Sequence, residues 1–468
     1  MSEPFSTDDA VLWTGGELAR GDAATRFTGV TIDSRRVSAG DLFVAIAGER
    51  FDGHDFLEDV VRAGAAGVAI RAGRKAPEGA RCAIAVDDTT RALGAIAAGH
   101  RRRFAGPLVA ITGSNGKTTT KEMCAAILGV GGACLKNEGN LNNEFGLPLT
   151  LLRRDAEHRS VVVELGMNHR GEIARLVAIA QPRVGVITNV GTAHIEHLGS
   201  REEIALEKGD LVAALGADAT AVLNADDPLA AAQAVRTPAR VVRFGRGDLA
   251  EVRADGVSAT SDGRYGFALL APEGRVEVSV AGLGETTVPN ALAAAAGALA
   301  AGASLADVAA GLRAYRPVSG RLSPIALARG GLLIDDTYNA NPQSMEVALR
   351  TLARGEVTGR RIAVLGDMGE LGEYGAEAHR DAGELAAQLG IDRVFAVGQH
   401  SAEVVRSARA AGMDASALHA GRDWEETAER VLEGLGEGDR VLVKGSRAMR
   451  MERIVAHLRR GAGAGDDA

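Results

Sequence analysis

The sequence predicts an α/β protein of three domains, in which a central doubly wound sheet follows a small α/β domain and precedes a Rossmann-like domain. The chain has 468 residues, more than a single hydrophobic core can organise. Short, continuous apolar runs alternate with helical stretches, a pattern typical of parallel sheets that are covered on both faces. A glycine-rich loop at 113–119 lies between a buried-strand pattern and the start of a helix.

Residues 1–103 are predicted to form the small N-terminal domain. A helical segment from His54 to Ala63 places its apolar residues on one face. Strand-like runs before and after it indicate an α/β unit. These runs are GVTID, DLFVAIA, GVAI and CAIAV.

Residues 104–317 are predicted to form the central domain. The run PLVAIT leads into the glycine-rich loop, and a helix is expected to begin near Thr118. The next apolar runs are long enough for buried strands and are separated by helical stretches, so we expect a parallel sheet. They are VVVEL, VGVITNV and ATAVLN.

Residues 318–459 are predicted to form a third, Rossmann-like domain. Amphipathic helical stretches again separate apolar runs. The last residues, 460–468, have no apolar periodicity and are expected to form a flexible tail. The runs in this domain are LLIDD, RIAVLGD, RVFAVG and RVLVKGS.

The composition excludes some classes of partner. The formal net charge is −8, whereas nucleic acids and anionic membranes attract clusters of Lys and Arg. We therefore expect a small or medium-sized ligand and no nucleic acid. The stretch from Ala291 to Leu312 consists mostly of small residues and contains Asp307, so it predicts one or two packed helices and no membrane span.

The cysteines and the N-terminus favour a cytoplasmic location. Cys82, Cys124 and Cys134 are odd in number and contain no C-x-x-C pair, which argues against a disulfide framework or a thiolate zinc site. The N-terminus has acidic residues and lacks a basic region followed by an apolar run, so no secretory signal is predicted.

The loop ITGSNGKTTT has the chemistry of a phosphate-binding loop. Gly113 and Gly116 let backbone N–H groups turn toward phosphates, Lys117 can reach the terminal phosphate oxygens, and Thr118 can offer a hydroxyl to magnesium. The full pattern would place a glycine at position 111, where this chain has isoleucine, so the motif is a shortened form. The sequence predicts ATP or GTP binding, against the alternative of a simple surface turn.

Two further polar residues follow presumed strands. Glu164 ends VVVEL, and His194 follows VGVITNV, at the sheet edge where open α/β sheets present catalytic groups. Both are candidate metal ligands. The alternatives are a structural or solvated carboxylate and a hydrogen-bonded histidine.

Several segments, in this order, resemble the Mur ligases of peptidoglycan synthesis, and the resemblance covers nearly the whole chain. Within that family, NLNNEFGLPLTLL, DDTYNANPQSMEVAL and LGDMGELG are most similar to the members that add D-alanyl-D-alanine to a UDP-N-acetylmuramoyl-tripeptide. A D-N-P-R segment, typical of the members that add the third amino acid, is absent from the sequence. The remaining segments are TGSNGKTTT, ELGMNHRGEI, ITNVGTAHIEHLGS, LNADDP, VPNALAAAA and GRL.

The resemblance implies an ATP- and Mg²⁺-dependent amide ligase that works through an acyl phosphate. It implies that the N-terminal domain holds the UDP end of the substrate, that the central domain binds ATP, and that the C-terminal domain brings the dipeptide. We expect a monomer. Two alternatives remain: another Mur-type or folylpolyglutamate-type amide ligase, and a nucleotide-binding ATPase module that does not ligate.

The resemblance also implies residue roles. Lys208 matches a lysine that carries a carbamate and helps to hold magnesium; from the residue alone, an ordinary exposed helix lysine is the alternative. Arg321 is expected near the γ-phosphate and Asp336 near the ribose, against the alternatives of a surface ion pair and a helix N-cap. The implied ATP site comprises Gly113, Ser114, Asn115, Gly116, Lys117, Thr118, Thr119, Asn290, Arg321 and Asp336. The implied catalytic residues are Lys117, His194 and Lys208, the metal ligands are Thr118, Glu164, His194 and Lys208, and the substrate contacts are Ser34, Arg35, Asn339 and Asn341.

Overall fold

The structure, a computed structural model, describes residues 3–260, 264–354 and 357–463. These residues form a sheet of five strands, one of nine and one of six, in that order along the chain, and a two-stranded sheet near the N-terminus. Helices cover the larger sheets, and the predicted α/β fold class is confirmed. Within the described part of the chain, none of the helices is both long enough and apolar enough to span a bilayer.

The first hundred residues form the five-stranded and two-stranded sheets. Their elements are β1 (Phe5–Ser6), α1 (Thr7–Thr14), β2 (Glu17–Gly21), β3 (Arg26–Phe27), β4 (Gly29–Thr31), β5 (Asp41–Val44), α2 (Leu57–Arg62), β6 (Gly67–Arg71), β7 (Cys82–Val86) and α3 (Thr89–Arg102). The strand order is β2-β7-β6-β5-β4, with β2 antiparallel to β7 and the other pairs parallel. The four strand-like runs of the sequence form β4 to β7. The helical segment expected from residue 54 begins as a 3-10 turn, Gly53–Phe56, before α2.

The nine-stranded sheet carries the glycine-rich loop. Its elements are β8 (Leu108–Thr112), α4 (Lys117–Leu128), β9 (Cys134–Lys136), α5 (Gly146–Leu151), β10 (Ser160–Glu164), α6 (Glu172–Ala180), β11 (Val184–Ile187), α7 (Ile195–Leu198), α8 (Arg201–Ala213), β12 (Thr220–Asn224), α9 (Pro228–Ala231), β13 (Arg240–Gly245), β14 (Val252–Ala259), β15 (Arg264–Ala271), β16 (Gly274–Ala281), α10 (Thr287–Ala300) and α11 (Leu305–Ala314). The strand order is β16-β15-β14-β13-β12-β11-β8-β10-β9.

The register of this sheet positions the site. Strand β8 lies between β10 and β11 and runs parallel to both, with Glu164 paired to Ile111 and Ile187 paired to Thr112. The three strands therefore end at one edge, and the segments that follow them meet there. This is the place where the strand order reverses, which in open α/β sheets forms a ligand crevice.

The polar stretch after residue 236 extends the sheet in a way that the sequence did not predict. Strands β14, β15 and β16 form an antiparallel meander at its end. The alanine-rich stretch forms α10 and α11, as expected. Its small residues allow close packing: a Cβ on Gly311 of α11 would lie 2.4 Å from the backbone of Ile127 in α4.

The six-stranded sheet forms the last third of the chain. Its elements are β17 (Ser323–Ala326), β18 (Leu332–Asp336), α12 (Pro342–Arg354), β19 (Arg361–Gly366), α13 (Gly375–Gln388), β20 (Arg393–Val397), α14 (Ser401–Ala410), β21 (Leu418–Gly421), α15 (Trp424–Glu433), β22 (Arg440–Lys444) and α16 (Glu452–Gly461). The order is β17-β18-β22-β19-β20-β21, and every neighbouring pair is parallel except β17–β18. Helix α16 reaches two residues into the segment expected to be a tail, of which residues 464–468 lie outside the described residues.

Apolar side chains bury both faces of the large sheets. Separate clusters lie on the two faces of the six-stranded sheet, one around Leu349 and Leu442, the other around Val443 and Leu458. A single cluster of buried apolar side chains joins the five-stranded sheet to the nine-stranded sheet. It runs from Phe27 through α3 to the central strands. This continuity ties the N-terminal sheet to the central one.

Candidate active site

A cavity of about 920 Å³ lies between the carboxyl edge of the central sheet and the C-terminal sheet. It brings together most of the residues that the sequence singled out. The predicted residues that line it are Ser114, Asn115, Gly116, Lys117, Thr118, Thr119, Glu164, His194, Asn290, Arg321, Asp336, Asn339 and Asn341.

The glycine-rich loop has the conformation that its glycines allow. Gly116 has a φ of +80°, and a Cβ at this position would lie 2.2 Å from Oδ1 of Asn290. A side chain here would therefore be strained and would displace Asn290. The loop is tied to the segment after β11, because the Asn115 backbone N–H donates to Oδ1 of Asn189 at 2.9 Å, and the Thr188 hydroxyl donates to the Asn115 carbonyl at 2.7 Å.

Lys117 begins helix α4 and bends back over the loop. Its Nζ donates to the Gly113 carbonyl at 2.8 Å and lies 3.4 Å from the Ser114 carbonyl. Burial lowers the pKa of Lys117, and the nearby Glu164 carboxylate opposes this effect. The ammonium group thus sits over the backbone cradle, where a phosphate would meet it.

Thr118 and Glu164 form the centre of a hydrogen-bonded chain. The Thr118 hydroxyl donates to Oε2 of Glu164 at 2.7 Å, and Asn142 Nδ2 donates to Oε1 at 2.8 Å. The backbone of Glu164 is in turn held by the buried Asn137 side chain, which bonds both its N–H and its carbonyl. Two asparagines of the segment between β9 and α5, Asn137 and Asn142, therefore position this carboxylate.

His194 lies at the end of the loop after β11, and its ring faces the C-terminal sheet. Nδ1 is 2.6 Å from Oε2 of Glu370. The imidazole beside it lowers the pKa of Glu370. A carboxylate at Nδ1 favours the proton on that nitrogen and leaves the Nε2 lone pair free to act as a ligand.

Lys208 is buried on helix α8, with 1% of its surface exposed. Burial lowers its pKa strongly, and the nearby Lys117 lowers it further, while Glu207 and Glu164 oppose the shift. The alternative of an ordinary exposed lysine is therefore wrong, because almost none of this side chain is accessible to solvent. A buried amine of low pKa is neutral and nucleophilic more often than an exposed one.

The C-terminal sheet contributes Arg321 to the cavity. Its guanidinium stacks 3.9 Å from the centre of the Tyr338 ring and donates through Nη2 to the Thr118 hydroxyl at 3.0 Å. Its Nε is buried and has no hydrogen-bond partner among the described residues. The alternative of a surface ion pair is wrong, since no carboxylate in the described part of the chain pairs with it.

Asp336 ends strand β18 and is held by a buried lysine. Lys444 Nζ donates to its Oδ2 at 2.5 Å and to the Asn339 carbonyl at 3.0 Å. The alternative of an N-cap for α12 is wrong for Asp336, because Asn341 fills that position and accepts from the Ser344 N–H at 2.9 Å.

Asn341 also reaches across the cavity. Its Nδ2 donates to Oδ1 of Asn115 in the glycine-rich loop at 2.9 Å. Nearby, the Thr192 hydroxyl donates to Oε1 of Gln343 at 2.8 Å. The two sheets are thus in direct polar contact at the site.

Ser34 and Arg35 lie elsewhere, in a 3-10 turn after β4. Arg35 is 86% exposed and pairs with Asp33, which brings the pKa of Asp33 to about 2. Neither Ser34 nor Arg35 is among the described residues that line the cavity. The structure does not bring these two residues together with the phosphate loop.

Asp210 and His379 are not among the described residues that line the cavity, and both make structural contacts. Asp210, two residues after Lys208, accepts from Arg236 at 2.6 Å. His379 is buried within the C-terminal sheet's own core, where its Nε2 accepts from the Met368 N–H and its Nδ1 lies 2.6 Å from the Gly375 carbonyl. Both ring nitrogens of His379 thus have backbone partners, which explains how this side chain can be buried.

Sequence reasoning missed Lys444 and Glu370 as site residues. Lys444 had a usable signal, since it ends the buried run RVLVK at the carboxyl edge of a parallel strand. The sequence signal for Glu370, in the segment GDMGELG, was weaker. Nothing in the sequence shows that the Glu370 side chain contacts His194, which follows a strand of a different sheet.

Comparison with known proteins agrees with this geometry. Three family models match in order: "Mur ligase family, catalytic domain" at residues 26–101, "Mur ligase middle domain" at 111–298 and "Mur ligase, glutamate ligase domain" at 320–447. The UDP-N-acetylmuramoyl-tripeptide–D-alanyl-D-alanine ligase of Escherichia coli (strain K12) is 40% identical over 95% of this chain and 96% of its own length.

Solved structures give the same result. A crystal structure of MurF from Acinetobacter baumannii superposes with a TM-score of 0.89 and 34% identity, covering 98% of this chain and 99% of that one. The MurF ligase of Thermotoga maritima in complex with ADP has a TM-score of 0.81 and 30% identity, covering 93% and 98%. This chain belongs to the Mur ligase family.

Proposed function

We propose that this chain is an ATP-dependent, ADP-forming ligase that adds D-alanyl-D-alanine to UDP-N-acetylmuramoyl-tripeptide in peptidoglycan precursor synthesis. One observation supports this most strongly: the phosphate loop and the C-terminal sheet meet in a single cavity, in a chain that is 40% identical to a ligase of that name over nearly its whole length. The ADP complex of the Thermotoga relative supports the use of ATP.

The reaction proceeds in two steps. The terminal carboxylate of the tripeptide attacks the γ-phosphorus of ATP, which forms an acyl phosphate and releases ADP. The amine of the dipeptide then attacks the acyl carbon, the C–O bond to phosphate breaks, and an amide and inorganic phosphate result. The first step brings two anions together, so positive charge must be fixed in place beforehand.

We assign that charge to Lys117 and Arg321. The Lys117 ammonium lies over the loop carbonyls, and Arg321 reaches Thr118 from the other sheet while its Nε lacks a partner among the described residues. A guanidinium with an unfilled donor suits a phosphate oxygen. Gly113, Ser114, Asn115, Gly116 and Thr119 would complete the cradle with backbone N–H groups, while Asn290 would meet the adenine and Asp336 the ribose.

Mg²⁺ fits the donor set of this cavity. The described residues contain no cluster of three His, Cys, Asp or Glu side chains placed as a metal site. Magnesium, however, is usually bound by one or two carboxylates together with substrate phosphates and water. Thr118, Glu164 and His194 would hold it, and when bound it supplies charge neutralisation at the phosphates.

Lys208 would hold a second magnesium as its carbamate. A carbamate forms when a neutral amine attacks CO₂ and loses a proton, so a low pKa favours it. Only 1% of the surface of Lys208 is exposed, and this burial strongly lowers its pKa. Both observations support the assignment.

We retain the division into an N-terminal domain at 1–103, a central domain at 104–317 and a C-terminal domain at 318–459. Ser34 and Arg35 would hold the UDP end, because Arg35 offers an exposed guanidinium there. Asn339 and Asn341 would meet the incoming substrate from the C-terminal side. We place the enzyme in the cytoplasm as a monomer; its three thiols are free, which suits a reducing compartment.

A substrate panel tests the function. Purified protein is given ATP and Mg²⁺ with one of two acids. The UDP-linked tripeptide is offered with D-alanyl-D-alanine or single amino acids, and a folate is offered with glutamate, while phosphate release and the mass of the product are measured. We expect phosphate and a new amide in equal amounts with the dipeptide. Amide formation with glutamate on a folate would indicate a folylpolyglutamate-type ligase, and substrate-independent hydrolysis without an amide would indicate an ATPase module.

A further inference from the structure

A second cavity, of about 1030 Å³, lies between the meander β14–β16 of the central sheet and the C-terminal elements α12, β18 and β22. Its lining is strongly basic. One glutamate, Glu285, accompanies five arginines among the described residues that line it. These arginines are Arg246, Arg264, Arg350, Arg354 and Arg440.

Arg440 is the most unusual of these residues. It begins strand β22, and 8% of its surface is exposed. Its Nε is fully buried without a hydrogen-bond partner, and no described residue accepts from its guanidinium or forms an ion pair with it. A buried guanidinium stays charged and is costly without an anion beside it.

The other four arginines differ in whether a carboxylate balances their positive charge. Arg354 pairs with Glu285, and Arg350 pairs with Glu346 at 2.9 Å. Arg264 donates to the Ser279 hydroxyl at 2.8 Å and to two carbonyls, which leaves its charge unbalanced. Since Arg246 is exposed and its side chain has no ion-pair partner in the described part of the chain, the cavity has an excess of positive charge.

These charges face one space. Glu285, Arg354, Arg246 and Arg440 all act electrostatically on the hydroxyl of Tyr265, whose pKa is raised mainly by burial. The lining also contains apolar side chains, which include Val257, Leu283, Val288 and Leu332. Cationic and apolar side chains together suit an organic anion better than a bare ion.

We propose that this cavity binds a phosphorylated small molecule, with Arg440 and Arg246 holding its phosphoryl group. Phosphate offers the oxygens that an arginine fork binds in pairs, and Arg440 supplies such a fork from a buried position in the cavity lining. Arg246 follows β13 and Arg264 begins β15 of the central sheet, whereas Arg440 begins β22 of the C-terminal sheet, so the ligand bridges the two sheets.

The proposed site is separate from the ATP cavity, although the two share a wall. Arg440 and Lys444 lie on the same face of β22, four residues and roughly 13 Å apart, with Leu442 between them. Leu283 and Val347 line both cavities. The inference does not depend on the proposed ligase reaction, because none of the residues assigned to ligation lines the second cavity.

The test is a calorimetric titration of the full chain whose ATP site is saturated with Mg²⁺ and a non-hydrolysable ATP analogue. Inorganic pyrophosphate and a hexose phosphate are titrated separately into the wild type, Arg440→Met, Arg246→Met and the control Arg406→Met, which alters an exposed arginine of α14. We expect saturable binding to the wild type and to the control. Arg440→Met should weaken binding by about tenfold or more, as expected for loss of a charge-assisted pair, and Arg246→Met should weaken it by less.

The thermal midpoint of the ligand-free protein provides a second measurement. Removal of an unpaired buried cation should leave Arg440→Met at least as stable as the wild type, whereas a purely structural arginine would give a clear loss. The proposal is overturned if neither ligand binds the wild type at concentrations up to about 10 mM, which corresponds to a binding free energy of less than about 2.7 kcal/mol. Equal binding to wild type and to both cavity variants overturns it as well.

Discussion

Replacement of Lys117 by methionine separates the fold of the phosphate loop from its chemistry. Methionine fills nearly the same space and removes the charge and the hydrogen bonds. The Nζ of Lys117 makes one short bond, 2.8 Å to the Gly113 carbonyl, and one long contact of 3.4 Å. No carboxylate of the described residues pairs with it, so the folded protein depends little on this ammonium group.

The expected magnitudes follow from these contacts. Loss of a hydrogen bond to a charged group costs about 1.5–3 kcal/mol, and relief of the desolvated ammonium returns a similar amount. The free energy of unfolding should therefore change by about 1 kcal/mol or less, and the thermal midpoint by roughly 2–4 °C. In the reaction, the same charge faces a phosphoryl group that gains negative charge, so turnover should fall by about 10³-fold, or roughly 4 kcal/mol.

Two assays measure these quantities on the same preparation. Calorimetry or circular dichroism gives the thermal midpoint, and coupled phosphate release gives kcat and KM for ATP. Lys75→Met is the matched control, because Lys75 is 86% exposed and pairs weakly with Glu78 at 3.5 Å. Turnover within threefold of wild type, or a fall in turnover matched by unfolding, would refute the assignment of Lys117 to transition-state stabilisation.

Three further changes test other parts of the molecule. Arg321→Lys keeps the positive charge but removes the paired N–H donors of the guanidinium, so kcat should fall by about 10²-fold while the thermal midpoint stays the same. An unchanged kcat would contradict the assignment of Arg321 to the phosphoryl group. Gly116→Ala places a methyl group 2.2 Å from Asn290 Oδ1 and should raise KM for ATP by about tenfold, whereas Gly139→Ala, with open space around it, should not; equal KM values would show that the loop is free to relax. Burial lowers the pKa of His100 from 6.5 to about 4. The stability that comes from keeping His100 neutral is present above pH 6.5 and is lost as pH falls toward 4, by about 2 kcal/mol between pH 7.5 and 5. Urea titrations at several pH values give the free energy of unfolding, and the part of its fall that is due to His100 should be absent in His100→Leu. The same pH dependence in the variant and the wild type would contradict this prediction.

The strands and their edge residues were predictable because each depends on a local pattern. The runs that contain Glu164 and Asp336 are continuous and apolar, and a polar residue at the end of such a run points to the carboxyl edge of a sheet. The sequence also separated Lys117 and Thr118 from ordinary surface residues, because a strand precedes them and a helix follows.

The contacts between sheets were not predictable in this way. Glu370 meets His194 across 176 positions of sequence only because two sheets face each other, and both residues have positive φ values, 59° and 67°, that no local rule requires. The antiparallel meander was missed for a related reason. In β16, Val278 and Val280 are buried while the residues beside them are not, and such alternation does not show which sheet a strand joins.

The arrangement of the site explains how hydrolysis of ATP without ligation could be limited. The loop that cradles phosphate lies on the central sheet, but the groups that reach it from outside, Arg321 and Asn341, lie on the C-terminal sheet. If Lys117 and Arg321 have the roles proposed for them, stabilisation of the transferred phosphoryl group requires both sheets to be in contact, since neither sheet carries both charges. We infer that approach of the C-terminal sheet, which would also bring the dipeptide, assembles the site for the first step. Activation of the carboxylate and delivery of the amine are then coupled by the same contacts, because the acyl phosphate forms only where its amine partner is already close.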